Sequence, residues 1–163
     1  MKVVIIRTPF IHPVNHLSSI TAVPDIGTAY INGALRRAGH DSSIVDGTGE
    51  GINRRIVLKN TNLALGGIPV SEIIAKIPKD VQVIGMQSMH SNRWIYDSFI
   101  LKKIFEQFPD VKVFLGGEHV SACSSYILKM FPQITACVIG EGEETVIELL
   151  EALENGRDFK MIE

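Results

Sequence analysis

Five short runs of β-branched and aliphatic residues recur along the chain, and a segment with helical periodicity follows each of them. The runs cover residues 2–6, 43–46, 81–86, 112–115 and 136–139. Parallel strands need long crossover connections, and continuously apolar strands indicate burial on both faces. The pattern therefore predicts an α/β, flavodoxin-like (Rossmann-like) doubly wound sheet of five parallel strands in the order 2-1-3-4-5, with helices on both faces.

The helical segments have recognisable ends. Asp25 is a good N-cap for the first helix, and Gly39 is a typical residue after a helix C-terminus. Pro109 and Gly156 end two later segments in the same way. The predicted helices cover residues 25–38, 70–76, 94–108, 124–130 and 143–154.

The connection between Asp46 and Val70 is longer than usual for this fold class. It has room for a short extra helix or a hairpin. Loops of this length are often functional or mobile, but this one can equally dock a neighbouring domain, and the sequence does not decide between these roles.

Composition excludes several kinds of partner. The 16 Lys and Arg residues nearly balance 18 Asp and Glu without a basic block, which argues against nucleic acid or an anionic membrane. Cys123 and Cys137 lack metal-ligand spacing and are expected to be free thiols in a reducing cytoplasm. The apolar N-terminal run stops at Arg7 with no cleavage site after it, so we interpret it as a strand and not as a signal peptide.

Two apolar runs break into glycine-rich turns before a helical stretch. They are Val-Phe-Leu-Gly-Gly-Glu-His at 113–119 and Val-Ile-Gly-Glu-Gly-Glu-Glu at 138–144. A glycine at the carboxyl end of a parallel strand lets backbone approach a ligand closely, and the following helix offers free N–H groups. Two such turns on one edge of the sheet predict one ligand that spans both.

Three functions that are common in such folds do not fit the residues of this chain: phosphoryl-group receiver, FMN binding and dinucleotide binding. A phospho-receiver needs acids after the first and third strands and a lysine after the fourth, where this chain has Arg-Thr-Pro, Gln-Ser and Gly-Gly. An FMN phosphate loop is excluded by Pro9 and Pro13, which cannot donate backbone N–H groups. The segment 140–145 lacks the third glycine of a dinucleotide fingerprint.

A set of segments, in order, resembles the N-terminal cobalamin-binding domain of cobalamin-dependent radical SAM enzymes. They are Asp-Ile-Gly at 25–27 with Tyr30, Leu-Arg-Arg-Ala-Gly-His at 35–40, Asp46, Ile-Gly at 84–85, Leu-Gly-Gly-Glu-His at 115–119 and Val-Ile-Gly-Glu-Gly-Glu-Glu-Thr at 138–145. The resemblance covers nearly the whole chain. It implies a cobalamin-binding domain over residues 1–155 and the start of a linker over 156–163.

By this resemblance the corrin lies across the carboxyl end of the sheet, and its nucleotide tail enters between sheet and helices. Gly116 and Gly117 leave space for the tail, and Gln87 or Ser88 hydrogen-bonds the nitrogen of the detached base. The implied cofactor-binding positions are Gln87, Ser88 and Met89 after the third strand, Gly116, Gly117, Glu118 and His119 after the fourth, and Gly140, Glu141, Gly142 and Glu143 after the fifth.

Neither a catalytic residue nor a metal ligand is implied in this chain. The Asp-x-His-x-x-Gly motif that supplies an imidazole to cobalt in other cobalamin proteins is absent. His12, His16, His90 and His119 are expected near the ligand face, where each can be a ligand, a hydrogen-bond donor or an ordinary loop residue. We interpret Glu141 and Glu143 as hydrogen-bond acceptors and not as an acid/base pair.

The resemblance also implies the wider context. A barrel domain with a [4Fe-4S] cluster and S-adenosylmethionine follows in such enzymes, and this chain has neither its Cys-x-x-x-Cys-x-x-Cys motif nor room for it. The expected function is to carry a methyl group on base-off cobalamin for a radical SAM methyltransferase or related radical enzyme acting on a small molecule or peptide. The alternative is a flavodoxin-like docking domain without cofactor.

Overall fold

The computed structural model describes residues 1–15 and 23–159. His16 and the last four residues of the predicted linker lie outside the described residues. The described part contains eight strands and five α-helices. The strands are β1 Lys2–Arg7, β2 Phe10–Pro13, β3 Asp41–Asp46, β4 Arg55–Val57, β5 Leu63–Gly66, β6 Val83–Gln87, β7 Lys112–Gly116 and β8 Ala136–Cys137; the helices are α1 Ile26–Arg37, α2 Val70–Lys76, α3 Trp94–Gln107, α4 Glu118–Met130 and α5 Thr145–Asn155.

The main sheet has five parallel strands in the order β3-β1-β6-β7-β8. These are the five predicted strands, and their order is the predicted 2-1-3-4-5. The apolar runs of β1 and β6 are buried because helices cover both faces, which confirms the doubly wound architecture.

The two faces of the sheet have separate cores. On one face, α2, α3 and α4 pack buried side chains such as Ile73, Ile104 and Ile127 against the sheet. On the other face, Leu35 of α1 and Leu149 of α5 do the same. Alternate residues along each strand therefore belong to different cores, as the pleat requires.

A second, antiparallel sheet with the order β2-β5-β4 adjoins the carboxyl end of β1. The hairpin that was one possibility for the long connection is present as β4 and β5. Gly67 has a φ of 131°, and a Cβ there would lie 2.0 Å from the carbonyl oxygen of Gly47, so the small sheet is held by direct backbone contact. Strand β2 was not among the predicted strands.

Helix α4 begins earlier than the predicted residue 124. It starts at Glu118, directly after Gly117, and is interrupted at Cys123, where the backbone leaves helical geometry with φ −127°. The small and polar residues of the first half have weak helical periodicity, but burial of His119 and Val120 holds this half in place. In the described part of the chain, no helix has the length and apolar character needed to cross a membrane.

Candidate functional site

A cavity of about 950 Å³ lies between the main sheet and the helices α1 and α5. Its upper part is bordered by the carboxyl ends of β1, β6 and β7 and by the turn before α5. Its deeper part runs down the sheet between strand and helix side chains. The deep walls are apolar and include Val3, Ile5, Val83, Phe114, Leu35 and Leu150.

Strand β6 contributes a glycine to the floor of this cavity. Gly85 is paired with Ile5 in the sheet, and a Cβ on Gly85 would come within 2.8 Å of Ile5 Cδ1. The missing side chain leaves this place to the side chain of Ile5, and Gly85 itself still lines the cavity. The floor is therefore apolar here.

The two glycines at the carboxyl end of β7, Gly116 and Gly117, have different physical roles. A Cβ on Gly116 would have no atom within 4 Å, so Gly116 borders open cavity space. Gly117 has a φ of 108°, and a Cβ there would lie 2.6 Å from the carbonyl oxygen of Ser88. Gly116 therefore keeps the cavity open, whereas Gly117 lets two turns of the protein approach each other.

The turn before α5 borders the other side of the cavity. Gly140 has a φ of 75°, and its N–H donates to Ser121 Oγ at 3.1 Å, which joins this turn to α4. Glu141 is exposed and Glu143 is partly buried, and both line the cavity together with Gly142. The four positions predicted from this turn thus lie together at one wall.

The opposite wall is polar and combines ends of β1 and β6 with the start of α1. Arg7 Nη1 lies 3.2 Å from Asp46 Oδ2, and Arg7 Nε lies 3.7 Å from Asp25 Oδ2. Asp25 accepts hydrogen bonds from the Thr28 N–H at 2.7 Å and from Gln87 Nε2 at 3.3 Å. Burial opposes the charge of Asp25, but contacts with Thr28, Gln87 and Arg7 outweigh it and lower the pKa of Asp25.

Gln87, Ser88 and Met89 do not all face the cavity. Gln87 and Met89 line it, whereas Ser88 does not. Ser88 is fully buried, and its hydroxyl donates to Asp97 Oδ2 at 2.7 Å on the other side of the turn. Ser88 therefore supports the turn from behind.

Glu118 borders the cavity, whereas His119 faces away from it and helps to line an adjoining cleft. The His119 ring lies against Trp94, with 5.0 Å between centroids, and Nδ1 is 2.9 Å from Ser91 Oγ. The cleft also contains Phe10 and His90. His119 thus links α4 to the turn after β6.

His12 does not line the cavity either. It is buried in β2, and its Nδ1 lies 3.0 Å from the Pro13 carbonyl oxygen.

Sequence reasoning missed the contribution of α1. Residues 23–28 and Ile31 line the cavity, as does Arg7. The N-cap at Asp25 was a signal for a helix start, but it did not show that this start lies beside the glycine turns. Only the strand order brings α1 and α5 together on one face.

Metal ligation is not favoured by the side chains of this region. Within residues 1–15 and 23–159 there is no group of three or more His, Cys, Asp or Glu side chains placed to hold a metal ion. Both cysteines are free, and burial raises the pKa of Cys137 to about 11, which keeps its thiol protonated at neutral pH. The cavity itself combines apolar deep walls with a polar upper edge, which suits an organic ligand with an apolar part and a polar part.

Comparison with known proteins agrees with this geometry. A family model described as the B12 binding domain matches residues 17–150. The chain is 30% identical to the uncharacterized methyltransferase PH0819 of Pyrococcus horikoshii, over 99% of this chain and 31% of that protein. It is 28% identical to the anaerobic magnesium-protoporphyrin IX monomethyl ester cyclase of Synechocystis sp., over 100% of this chain and 30% of that enzyme.

The chain thus spans less than a third of the length of these curated relatives. Among solved structures, the RcsB response regulator of Salmonella typhimurium superposes with a TM-score of 0.55 at 18% identity, over 96% of this chain and 61% of that one. At this identity the likeness concerns the fold alone.

Proposed function

The chain belongs to the B12-binding domain family, and from that premise we propose that it binds base-off cobalamin as a methyl carrier for a longer radical SAM methyltransferase or related radical enzyme. The observation that carries the proposal is the cavity between the sheet and the helices α1 and α5. Its depth and apolar walls suit the dimethylbenzimidazole end of the nucleotide tail. Its polar upper wall has acceptors for the ribose hydroxyl groups, and Arg7 offers a positive charge to the phosphate.

Each wall has a separate part in holding the cofactor. Gly116 leaves room for the tail, and the turn from Gly140 to Glu143 borders it with carboxylate acceptors and backbone amides. Met89 and Glu118 adjoin the corrin edge where the cavity meets the neighbouring cleft. Of the two candidate donors to the base nitrogen, Ser88 is bound to Asp97, whereas Gln87 gives one N–H to Asp25 and keeps a second at the polar upper wall.

Cobalamin, when bound, supplies the cobalt-centred methyl transfer. The protein supplies placement and exclusion of water from the buried tail. We propose that no protein imidazole reaches cobalt, since the chain lacks the Asp-x-His-x-x-Gly motif and His119 is held by Ser91 and Trp94.

The wider context is part of the same proposal. Relatives about three times as long include an enzyme named as a methyltransferase and one named as a cyclase. We propose that this domain works with a radical SAM barrel carrying a [4Fe-4S] cluster and S-adenosylmethionine, on a small-molecule or peptide substrate, in the cytoplasm. Nucleic acid and membranes are not part of the proposal, because the charge is balanced.

A visible-absorption titration of the purified chain with hydroxocobalamin and methylcobalamin, followed by gel filtration, tests the function. The proposal requires co-elution at about one cofactor per chain with the spectrum of a detached base. If neither this chain nor the longer natural chain retains cobalamin, the domain is a docking module without cofactor. If the longer chain retains cobalamin and this chain does not, part of the binding site belongs to the further domain.

A further inference from the structure

One buried hydroxyl group in the cavity wall has no hydrogen bond. Thr28, in the first turn of α1, is 4% exposed and lines the cavity, yet its Oγ1 has no hydrogen-bond partner among the described residues. The hydroxyl lies near the carboxylate of Asp25 and helps to lower the pKa of Asp25, but it does not reach the distance and angle of a hydrogen bond. A buried polar group without a partner is costly, so a native structure that keeps one calls for an explanation.

The position of Thr28 distinguishes it from similar groups. Within the described part of the chain, side-chain atoms of four other residues are buried without a partner, and none of these residues lines the cavity: His12, Arg93, Asp97 and His119. Thr28 alone among the five combines burial with a place in the wall.

The surroundings of Thr28 indicate what its hydroxyl can bind. The Asp25 carboxylate already accepts hydrogen bonds from the Thr28 N–H and from the Gln87 side chain. These bonds leave the Thr28 hydroxyl without a partner of its own. A threonine hydroxyl has one donor and two acceptor sites and uses two side-chain rotamers in a helix. Its oxygen, now enclosed, can therefore turn to a polar ligand atom without backbone movement.

We propose that the Thr28 hydroxyl hydrogen-bonds the nucleotide tail inside the cavity and makes this domain selective for corrinoids that carry a tail. The assignment rests on the proposed function, because it takes cobalamin as the occupant. The group it recognises is the polar edge of the ribose and base unit.

The test compares wild type, Thr28→Val and Thr28→Ser in titrations with hydroxocobalamin and with cobinamide, which has the corrin but no nucleotide tail. Valine keeps the shape and removes the hydroxyl, whereas serine keeps the hydroxyl. We expect Thr28→Val to weaken cobalamin binding about tenfold, as loss of one buried hydrogen bond implies. Cobinamide binding should be unchanged, and Thr28→Ser should bind cobalamin nearly as tightly as wild type.

A second measurement excludes a purely structural role. Without ligand, Thr28→Val should unfold at about the same temperature as wild type, because the loss of an unpaired buried hydroxyl offsets the loss of its contact with Asp25. Three results for Thr28→Val would overturn the assignment of Thr28 and leave the proposed function standing. They are an unfolding temperature below that of wild type, a cobalamin affinity equal to that of wild type, and an equal loss of affinity for cobalamin and cobinamide. A wild-type protein and a longer natural chain that bind neither corrinoid would overturn the proposed function as well.

Discussion

The hydroxyl of Ser88 donates a hydrogen bond of 2.7 Å to Oδ2 of Asp97, and both side chains are buried behind the turn that follows β6. Burial raises the pKa of Asp97, and its hydrogen bonds and nearby positive charges do not cancel this effect. A carboxyl group whose pKa is raised by folding stabilises the fold below its ordinary pKa of 3.8 and loses that contribution as pH rises through the folded-state value.

We therefore expect Asp97→Asn to increase the free energy of unfolding at pH 7. The neutral amide carries no penalty for burying a charge, and its carbonyl oxygen can still accept from Ser88. Chemical denaturation of both proteins at pH 7 and pH 4 measures the effect, and the gain should shrink at the lower pH. A variant less stable than wild type at pH 7 would contradict this account.

Gly116→Leu should abolish cobalamin retention without unfolding the domain. A side chain at Gly116 enters open cavity space and would occupy the volume assigned to the tail. Gly33→Leu is the matched control, because Gly33 is exposed on α1, outside the cavity, with no atom within 4 Å of an added Cβ. Gel filtration with cobalamin compares the two, and retention by Gly116→Leu would refute the placement of the tail.

Gly117→Ala should destabilise the protein more than Gly140→Ala. Both glycines have positive φ, but only at Gly117 would a Cβ meet backbone, the carbonyl oxygen of Ser88 at 2.6 Å. Strained backbone conformations cost about 1–3 kcal/mol, and the clash adds to that at Gly117. Thermal and urea unfolding of both variants checks the order; equal losses would show that the turn can move away.

Asp25→Asn removes the negative charge at the N-cap of α1 but keeps an oxygen that can accept the capping hydrogen bond. The pKa of Asp25 is lowered in the fold, so its charge contributes stability above the ordinary pKa of 3.8 and loses it as pH falls through the folded-state value. We expect Asp25→Asn to lower the unfolding free energy at pH 7 but much less near pH 3. Asp25→Ala should cost about 1 kcal/mol more, because alanine cannot accept from the Thr28 N–H.

His119→Ala should leave the visible spectrum of bound cobalamin unchanged while lowering the unfolding temperature. The ring is held by Ser91 and Trp94, so its loss removes packing and not a cobalt ligand. Absorption spectra of the two loaded proteins give the comparison. A spectral shift specific to the variant would mean that the imidazole reaches cobalt.

The order of elements followed from the sequence because local patterns encode it. Apolar runs such as Val-Val-Ile-Ile at 3–6 can only be strands buried on both faces, and Asp25 and Gly39 mark the ends of α1 by their own backbone chemistry. The strand order then followed from the rules for parallel connections. The family resemblance likewise depended on segments that can be read one at a time.

The composition of the cavity could not be predicted in this way. Arg7 and Gln87 are partners in the pairing of β1 with β6, and the start of α1 places Asp25 and Thr28 beside them, although the three segments that contain these residues are far apart in sequence. Strand β2 forms despite Pro13 because pairing with β5 outweighs local preference. Ser88 and Gln87 are neighbours, yet strand alternation sends one to Asp97 and the other to the cavity.

The sequence by itself determined the fold class, the strand order and the glycine-rich turns at the carboxyl edge of the sheet, because these depend on periodicity, caps and glycines. Only the tertiary structure decided which side chains line the cavity, which ones support the turns, and that Gly116 and Gly117 serve different purposes. Those outcomes depend on distances between segments far apart in the chain, and local sequence carries no measure of such distances.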